Sequence, residues 1–443
     1  MKRDLSPPIL SRINSGGAYP PLWFAWSVWA VGMMLFLIGF FQRVAPAVMT
    51  SELMAAFGIS ASGLGGLSAS YYYSYVILQV PTGVLADSWG PRKLLTAGGM
   101  GAAAGTLVFS LAPDFLWANI GRALIGGSVG VGYVVLLKLS SRWLPPRFYA
   151  LAAGLALFFG VLGAVTAGVP LRLLIDTFGW RPSLFASGLI TFAGALLAWG
   201  IVRDDPQAKG YRSYGAPLPR DSQFAGSPGV FFGLRTIFRY RNTWLLFLAP
   251  SGVVGSILAF AGLWGVPYLK AEYHLDPVKG AAVCSLMMIS MAVGGPVLGG
   301  LSDRLGRRKP LYLFGCLLNS AGWILIIFLP NLSFGLFVLL VVVVGFGGGA
   351  VIIGFAYSKE SVPPHLAGTI GGVINTGQMI GTPILQPVIG WILDLTWKGN
   401  WIQGERAYEV ASFKIGFTVM LAWSLLSCLF VSFTRETRCR PAS

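Results

Sequence analysis

The sequence predicts an all-α membrane protein: twelve transmembrane helices packed as two six-helix bundles, with both chain ends on the cytoplasmic side. Three observations carry that expectation. The 443 residues have a mean hydropathy of +0.70, with 55% apolar and only 11% charged residues. Apolar runs of about twenty residues, enough to cross roughly 30 Å of hydrocarbon, recur along the whole chain. One loop pattern is also written twice, as GVLADSWGPRK at 83–93 and GGLSDRLGRRK at 299–309.

The spans follow in order. The polar start, MKRDLSPPILSRINSGGAYPP, precedes a run from Phe24 that is too long for a signal-peptide core and has no small-residue cleavage site, so it stays as the first span. The second span, from Ser62, leads into the first loop pattern, and the third, from Leu94, follows directly with small residues between Gly98 and Gly105 that let helices approach closely. Further spans begin near Phe115, Tyr149 and Pro182. The polar stretch 202–241, with Pro206, Pro217, Pro219 and Pro228, is the longest interruption and reads as a linker. Spans then resume near Thr243, Ala281, Leu311, Phe334, Leu366 and Ala411, and the second loop pattern again falls between the second and third of its set. A parallel repeat of six spans explains that placement. The bundles are residues 1–201 and 242–443, joined by the cytoplasmic linker.

Charge fixes the orientation. Lys2, Arg3, Arg12, Arg92, Lys93, Arg142, Arg147, the linker basics, Arg304 to Lys309, Lys359 and the tail arginines fall on one side; the other holds little beyond Arg181, Lys270, Lys279, Lys398 and Arg406. Excess Lys and Arg marks the cytoplasmic face. The net charge of +16 is therefore an orientation signal spread between apolar spans, which sets nucleic acid aside as a partner. Cys284, Cys316, Cys428 and Cys439 lack disulfide or metal spacing and read as packing residues. No metal, cofactor or enzyme chemistry is expected, because no nucleophile–base pair, metal cluster or nucleotide loop occurs.

Asp87 and Asp303 sit where a helix meets the cytoplasm. Each is placed to accept from a helix N-terminus or to pair with Arg92 or Arg308, gating the cytoplasmic side; a role in topology alone is the competing reading. Arg43, in FFQRVAPAV, lies within the first span with no Asp or Glu at mid-depth to balance it, so its partner is either water at the outer surface or an anionic substrate. Lys138 stands either in the site or snorkels beside Arg142. Tyr72, Tyr75 and Gln79 share one face of the second span, and Asn375, Gln378, Thr382 and Gln386 form a polar stripe on the eleventh. These stripes line a substrate path or bond between helices. His274 and His365, at loop positions, are poor proton relays.

The doubled loop pattern, the span count and the basic linker together resemble the major facilitator superfamily over the whole chain. The resemblance implies a transporter that rocks two halves around a central site. The run from Gly39 to Met54, LKLSSRWLPPR (137–147) and LWGVPYLK (263–270) are similar to the organophosphate:phosphate antiporter and sugar-phosphate-permease-like branch. In that branch an arginine matching Arg43 binds the substrate phosphate. The branch also places an arginine in the seventh span, where Thr243 to Pro267 has none, so carboxylate and phosphate ester stand equally open. The pattern RALIGGSVG from Arg122 resembles the fourth-helix motif of proton-coupled members, which makes Arg122 a candidate coupling residue. The leading expectation is a multi-pass carrier in a bacterial inner membrane, acting as a monomer on a small organic anion with protons or a counter-anion. A hydrophobic-drug exporter, disfavoured by Arg43 and a weak exporter motif in GVLGAVTAGVP (160–170), and a transporter-like sensor are the alternatives.

Overall fold

The computed structural model describes residues 18–215, 235–363, 366–402 and 405–440. Lys2, Arg3, Arg12, His365, part of the linker and the Asp87 side chain lie outside the described residues. Helix α1 (Leu22–Val44) runs on as a 3₁₀ turn to Val48, and the short α2 (Thr50–Phe57) leads into α3 (Ala61–Ser88) and α4 (Pro91–Ser110). Next come α5 (Phe115–Val129) with α6 (Val131–Trp143), α7 (Tyr149–Thr166) with α8 (Val169–Phe178), and α9 (Trp180–Ile201). Beyond the linker, α10 (Arg241–Ala259) continues through a π-helical turn (Phe260–Trp264) into α11 (Gly265–Tyr273). The chain closes with α12 (Pro277–Leu305), α13 (Lys309–Phe328), α14 (Phe334–Gly348) with α15 (Val351–Glu360), α16 (Ala367–Leu395), a small hairpin of β1 (Trp401–Ile402) and β2 (Glu405–Arg406), and α17 (Val410–Ser432).

Helices occupy each expected span, but length and hydropathy alone support fewer crossings. Among the described residues nine helical stretches are long and apolar enough to cross a membrane, ten when α2 and the first part of α3, bent by 107°, count as one. The spans expected at Leu94 and Leu366 fall short. The reasons are local. Helix α4 opens Pro-Arg-Lys and is rich in Gly and Ala, while α16 carries amides, a hydroxyl stripe and Asp394. Such helices suit the inside of a bundle, where protein rather than lipid covers them. Accordingly α4 lies between α5 and α9, and α16 packs against α3, α10 and α17.

Within the first part of the chain α1 rests on α6 and α7; within the last part α12 and α13 flank α14, and α17 closes on α10 and α13. The two parts meet along α3 with α16 and along α7 and α8 with α12. Apolar side chains from both parts form one buried cluster around that meeting line.

Both loop patterns are fixed by the same device. In the first, Gly90 has φ +81° and an added Cβ would stand 2.6 Å from an Asp204 carboxylate oxygen, so no larger residue fits. Asp204 then accepts from the Arg92 backbone N–H at 2.7 Å, capping α4. In the second, Glu436 accepts from the backbone N–H groups of Arg308 and Lys309, both at 3.0 Å, capping α13. Each acid follows the last helix of its part by a few residues. Partial burial works to raise Glu436, but N–H donors from Arg308, Arg438, Lys309 and Thr437 outweigh it and hold the carboxyl below its ordinary value.

Removing either cap by Asp204→Ala or Glu436→Ala is expected to cost about 1 kcal/mol and to lower the melting temperature of the purified protein by about 1 °C. Gly90→Ala, adding backbone strain and a clash with Asp204, is expected to cost more. The Glu436 contribution is complete above the ordinary value of 4.5 and is lost as pH falls through the lowered value of the folded state. Thermal unfolding at several pH values checks all three.

Candidate functional site

Pro46 begins the site. Having no N–H, it cannot bond the carbonyl of Gln42 four residues earlier, and that carbonyl is left open at the end of α1. Arg122 of α5 takes it, with Nη1 at 2.8 Å. The rest of the Arg122 side chain is 1% exposed, and its Nε and Nη2 have no hydrogen-bond partner among the described residues. Its guanidinium carbon lies 4.9 Å from the Tyr71 ring centre.

Arg43 reaches the same tyrosine. Its Nε donates to Tyr71 Oη at 3.2 Å, and its guanidinium carbon lies 4.4 Å from the Phe40 ring and 5.0 Å from the Tyr75 ring. At 5% exposed it does not snorkel to a surface. Aromatic faces stabilise both cations, and no carboxylate pairs with either among the described residues. Gln42 secures the base of this cluster, its Nε2 donating to Thr106 Oγ1 at 2.8 Å and Thr191 Oγ1 at 3.2 Å.

A second set of polar groups gathers at the π-helical turn. An added Cβ on Gly262 would stand 3.6 Å from Gln386 Nε2 and 3.9 Å from Tyr72 Oη, so these three groups meet. Gln386 Nε2 donates to the Leu258 carbonyl at 3.1 Å, and Trp264 Nε1 donates to the Gln386 carbonyl at 3.1 Å. Tyr72 Oη, Thr382 Oγ1 and Gln386 Oε1 are buried without partners among the described residues. π-turns recur at functional positions because they aim backbone groups out of register.

The predicted stripes divide. Tyr72 turns to the π-turn, Tyr75 to Arg43, and Gln79 lies beside Gly130 at the α5–α6 junction, its Nε2 without a hydrogen-bond partner among the described residues. On α16, Thr382 and Gln386 are buried, whereas Asn375 and Gln378 are half-buried further toward the loop patterns. Lys138 lies elsewhere: Nζ donates to the Ala86 carbonyl near the C-terminal end of α3, about 22 Å along the helix axis from Tyr71. There it caps an orphan carbonyl of the helix end.

The residues expected to gate the cytoplasmic side also find partners the sequence did not name. Arg92 stacks on Trp199 at 4.0 Å and donates from Nε to the Trp199 carbonyl at 2.9 Å. Arg308 pairs with Asp303 as expected and additionally with Glu360, at 2.8 and 3.0 Å. Burial opposes the Arg308 charge, yet hydrogen bonds to Glu360 and Asp303 hold it above its ordinary value. Tyr71, Gln42, Glu360 and the π-turn all escaped sequence reading. Only Tyr71 left a signal, lying four residues before Tyr75 on the same helix face.

The burial gradient along α16 generates a labelling pattern. On a Cys439→Ser background, cysteines at Asn375 and Gln378 are expected to react with aqueous thiol reagents, while those at Thr382 and Gln386 stay protected until the helices around them separate. Labelling rates compared by mass spectrometry check the gradient.

A family model described as Major Facilitator Superfamily matches residues 31–385 and again 252–441. Curated relatives include a probable sulfoacetate transporter of Cupriavidus necator, 23% identical and aligned over 82% of this chain and 86% of that protein. A probable hexose phosphate transport protein of Chlamydia pneumoniae is 25% identical over 83% and 85%, and a probable galactarate/D-glucarate transporter of Escherichia coli is 24% identical over 80% and 85%. A solved bacterial homolog of the human lysosomal transporter Spinster, inward-facing and unoccupied, has the same fold with a TM-score of 0.76 at 15% identity, over 92% of this chain and 96% of that one. With most of its length covered by the family model, the chain is a multi-pass membrane transporter that belongs to the Major Facilitator Superfamily.

Proposed function

We propose that this transporter carries a small organic anion by alternating access, with residues 1–201 and 242–443 rocking about the site and 202–241 linking them. One observation carries the reading: Arg43 and Arg122 are both buried against Tyr71, with no carboxylate paired to either among the described residues. A buried cation without a counter-charge is costly, and an anion bound between the two guanidinium groups removes that cost. Arg122 then supplies, from α5, the second positive group that the stretch from Thr243 to Pro267 lacks. This assigns Arg122 to the substrate rather than to ion coupling.

Tyr72, Thr382 and Gln386 offer hydroxyl and amide groups to the uncharged end of such a substrate, because their open valences need partners in a water-poor site. Carboxylate, sulfonate and phosphate ester groups all fit two guanidinium donors. The printed names of the relatives, a sulfoacetate, a hexose phosphate and a galactarate/D-glucarate transporter, support the same class. An empty carrier has to reorient with both cations uncompensated, so anion-for-anion exchange is favoured over net movement. The bacterial inner membrane and a monomeric carrier fit this reading.

A thermal-shift screen of the purified protein tests it, since a ligand of the folded state raises the melting temperature. Carboxylates, sulfonates or phosphate esters are expected to stabilise; neutral sugars and cationic drugs are not. Arg43→Ala and Arg122→Ala are expected to abolish the shift, and Arg43→Lys to weaken binding at least about tenfold, because a point charge does not replace the planar fork. Stabilisation by cationic drugs but by no anion would transfer the chain to the exporter reading. In proteoliposomes, a trapped counter-anion is expected to accelerate uptake of the stabilising anion.

A further inference from the structure

Asp394, the penultimate residue of α16, reaches across to the first turn of α3. Its Oδ2 accepts from Ser60 Oγ at 2.7 Å and from the Ser62 backbone N–H at 2.9 Å. Its Oδ1 accepts from Tyr408 Oη at 2.7 Å and from the Ala61 N–H at 3.3 Å, with Arg406 Nη1 at 3.6 Å. The Ala61 and Ser62 N–H groups belong to the helix N-terminus, where no intrahelical acceptor exists and negative charge is favoured. A carboxylate from the last part of the chain therefore caps a helix of the first part.

The cap sits on a seam of close backbone contact. An added Cβ on Gly390 would lie 2.3 Å from the Ala61 carbonyl, and one on Gly65 would lie 2.6 Å from the Gln386 carbonyl. Further along, Tyr73 Oη donates at 2.9 Å to the Pro383 carbonyl, which Pro387 leaves open by lacking an N–H. This seam lies at the end of α3 and α16 remote from the loop patterns, and it has to part before the site opens to that side.

The groups facing Asp394 are donors or hydroxyls. From α3 come only Ser60, Ser62 and backbone N–H; the segment after β1 brings Arg406 and Tyr408. Nearby charges are engaged elsewhere, Lys398 with Glu409 at 2.8 Å and Glu52 of α2 with Arg172. This set selects the ionised carboxylate, and protonation removes the charge the donors share while adding a proton that points at them.

We propose that Asp394 is a proton-operated latch: ionised, it pins α3 to α16 and keeps the far side closed; protonated, it frees them, so acid in the far compartment favours the state open to that compartment. The latch rests on the two-part carrier reading but not on the nature of the substrate. Its proton comes from and returns to the far side, so it regulates opening without being carried across.

Distance measurement between spin labels tests it. Labels on cysteines at Ala56, which travels with α3, and Asn400, beyond α16, are placed with all four native cysteines replaced by serine, in the full chain. At pH 8 the short distance is expected to dominate, and between pH 6 and pH 3 the ratio of long to short populations is expected to rise at least about threefold, as one-proton linkage allows. Asp394→Asn is expected to raise the long population at pH 8 and to remove the pH response; Asp394→Glu is expected to keep it. Gly65→Trp, a wedge in the seam, serves as the reference for separation. If the wedge lengthens the distance while pH and Asp394→Asn leave it unchanged, the latch is overturned and the carrier reading stands. If no variant and no pH lengthens it, the rocking of two parts is overturned together with the latch.

Discussion

Inside a bilayer every backbone carbonyl needs a donor, and much of this structure follows from where proline denies one. Pro46 opens the Gln42 carbonyl, which Arg122 fills; Pro387 opens the Pro383 carbonyl, which Tyr73 fills. The first contact draws a guanidinium into the bundle beside Tyr71, and the second ties α3 to α16. The candidate site and the seam that seals it from the far side thus share one cause. Each joins helices distant in sequence through a hydrogen bond that a regular helix would have kept to itself.

Burying two guanidinium groups makes a further demand, because their remaining donors and their charge find no carboxylate among the described residues. Aromatic rings meet part of it: Phe40 and Tyr75 lie against Arg43, while Tyr71 contacts both Arg43 and Arg122. Rings attract a cation without neutralising it, which leaves room for an anion to do so. Of the amide and hydroxyl groups at the π-turn, Thr382 and Gln386 come from the other part of the chain and Tyr72 from the same part as the cations.

On the side of the loop patterns the two parts of the chain repeat one another in chemistry but not in detail. Asp204 caps α4 and Glu436 caps α13, yet Arg92 stacks on Trp199 whereas Arg308 is held by Asp303 and Glu360. These contacts lie within each part, and they stiffen it as a unit. The contacts that join the parts are concentrated on the far side, where Asp394 replaces the missing acceptors of the α3 N-terminus. Rigid units joined at one end are what a rocking motion requires.

The sequence by itself determined the fold class, the doubled loop pattern and the polar faces of α3 and α16, because apolar length, repeat spacing and helical periodicity are properties of short stretches. It also marked Arg43 as a charge out of place. It left Lys138 open between the site and a place beside Arg142, and the structure sets it at a helix end; it did not connect Arg122 with Tyr71 or Asp394 with Ala61. Those partners lie 51 and 333 residues apart in the chain. Only packing decides which orphan carbonyl meets which arginine, since the donor and the acceptor are each ordinary in their own stretch and become a site when two helices bring both into a place that water cannot reach.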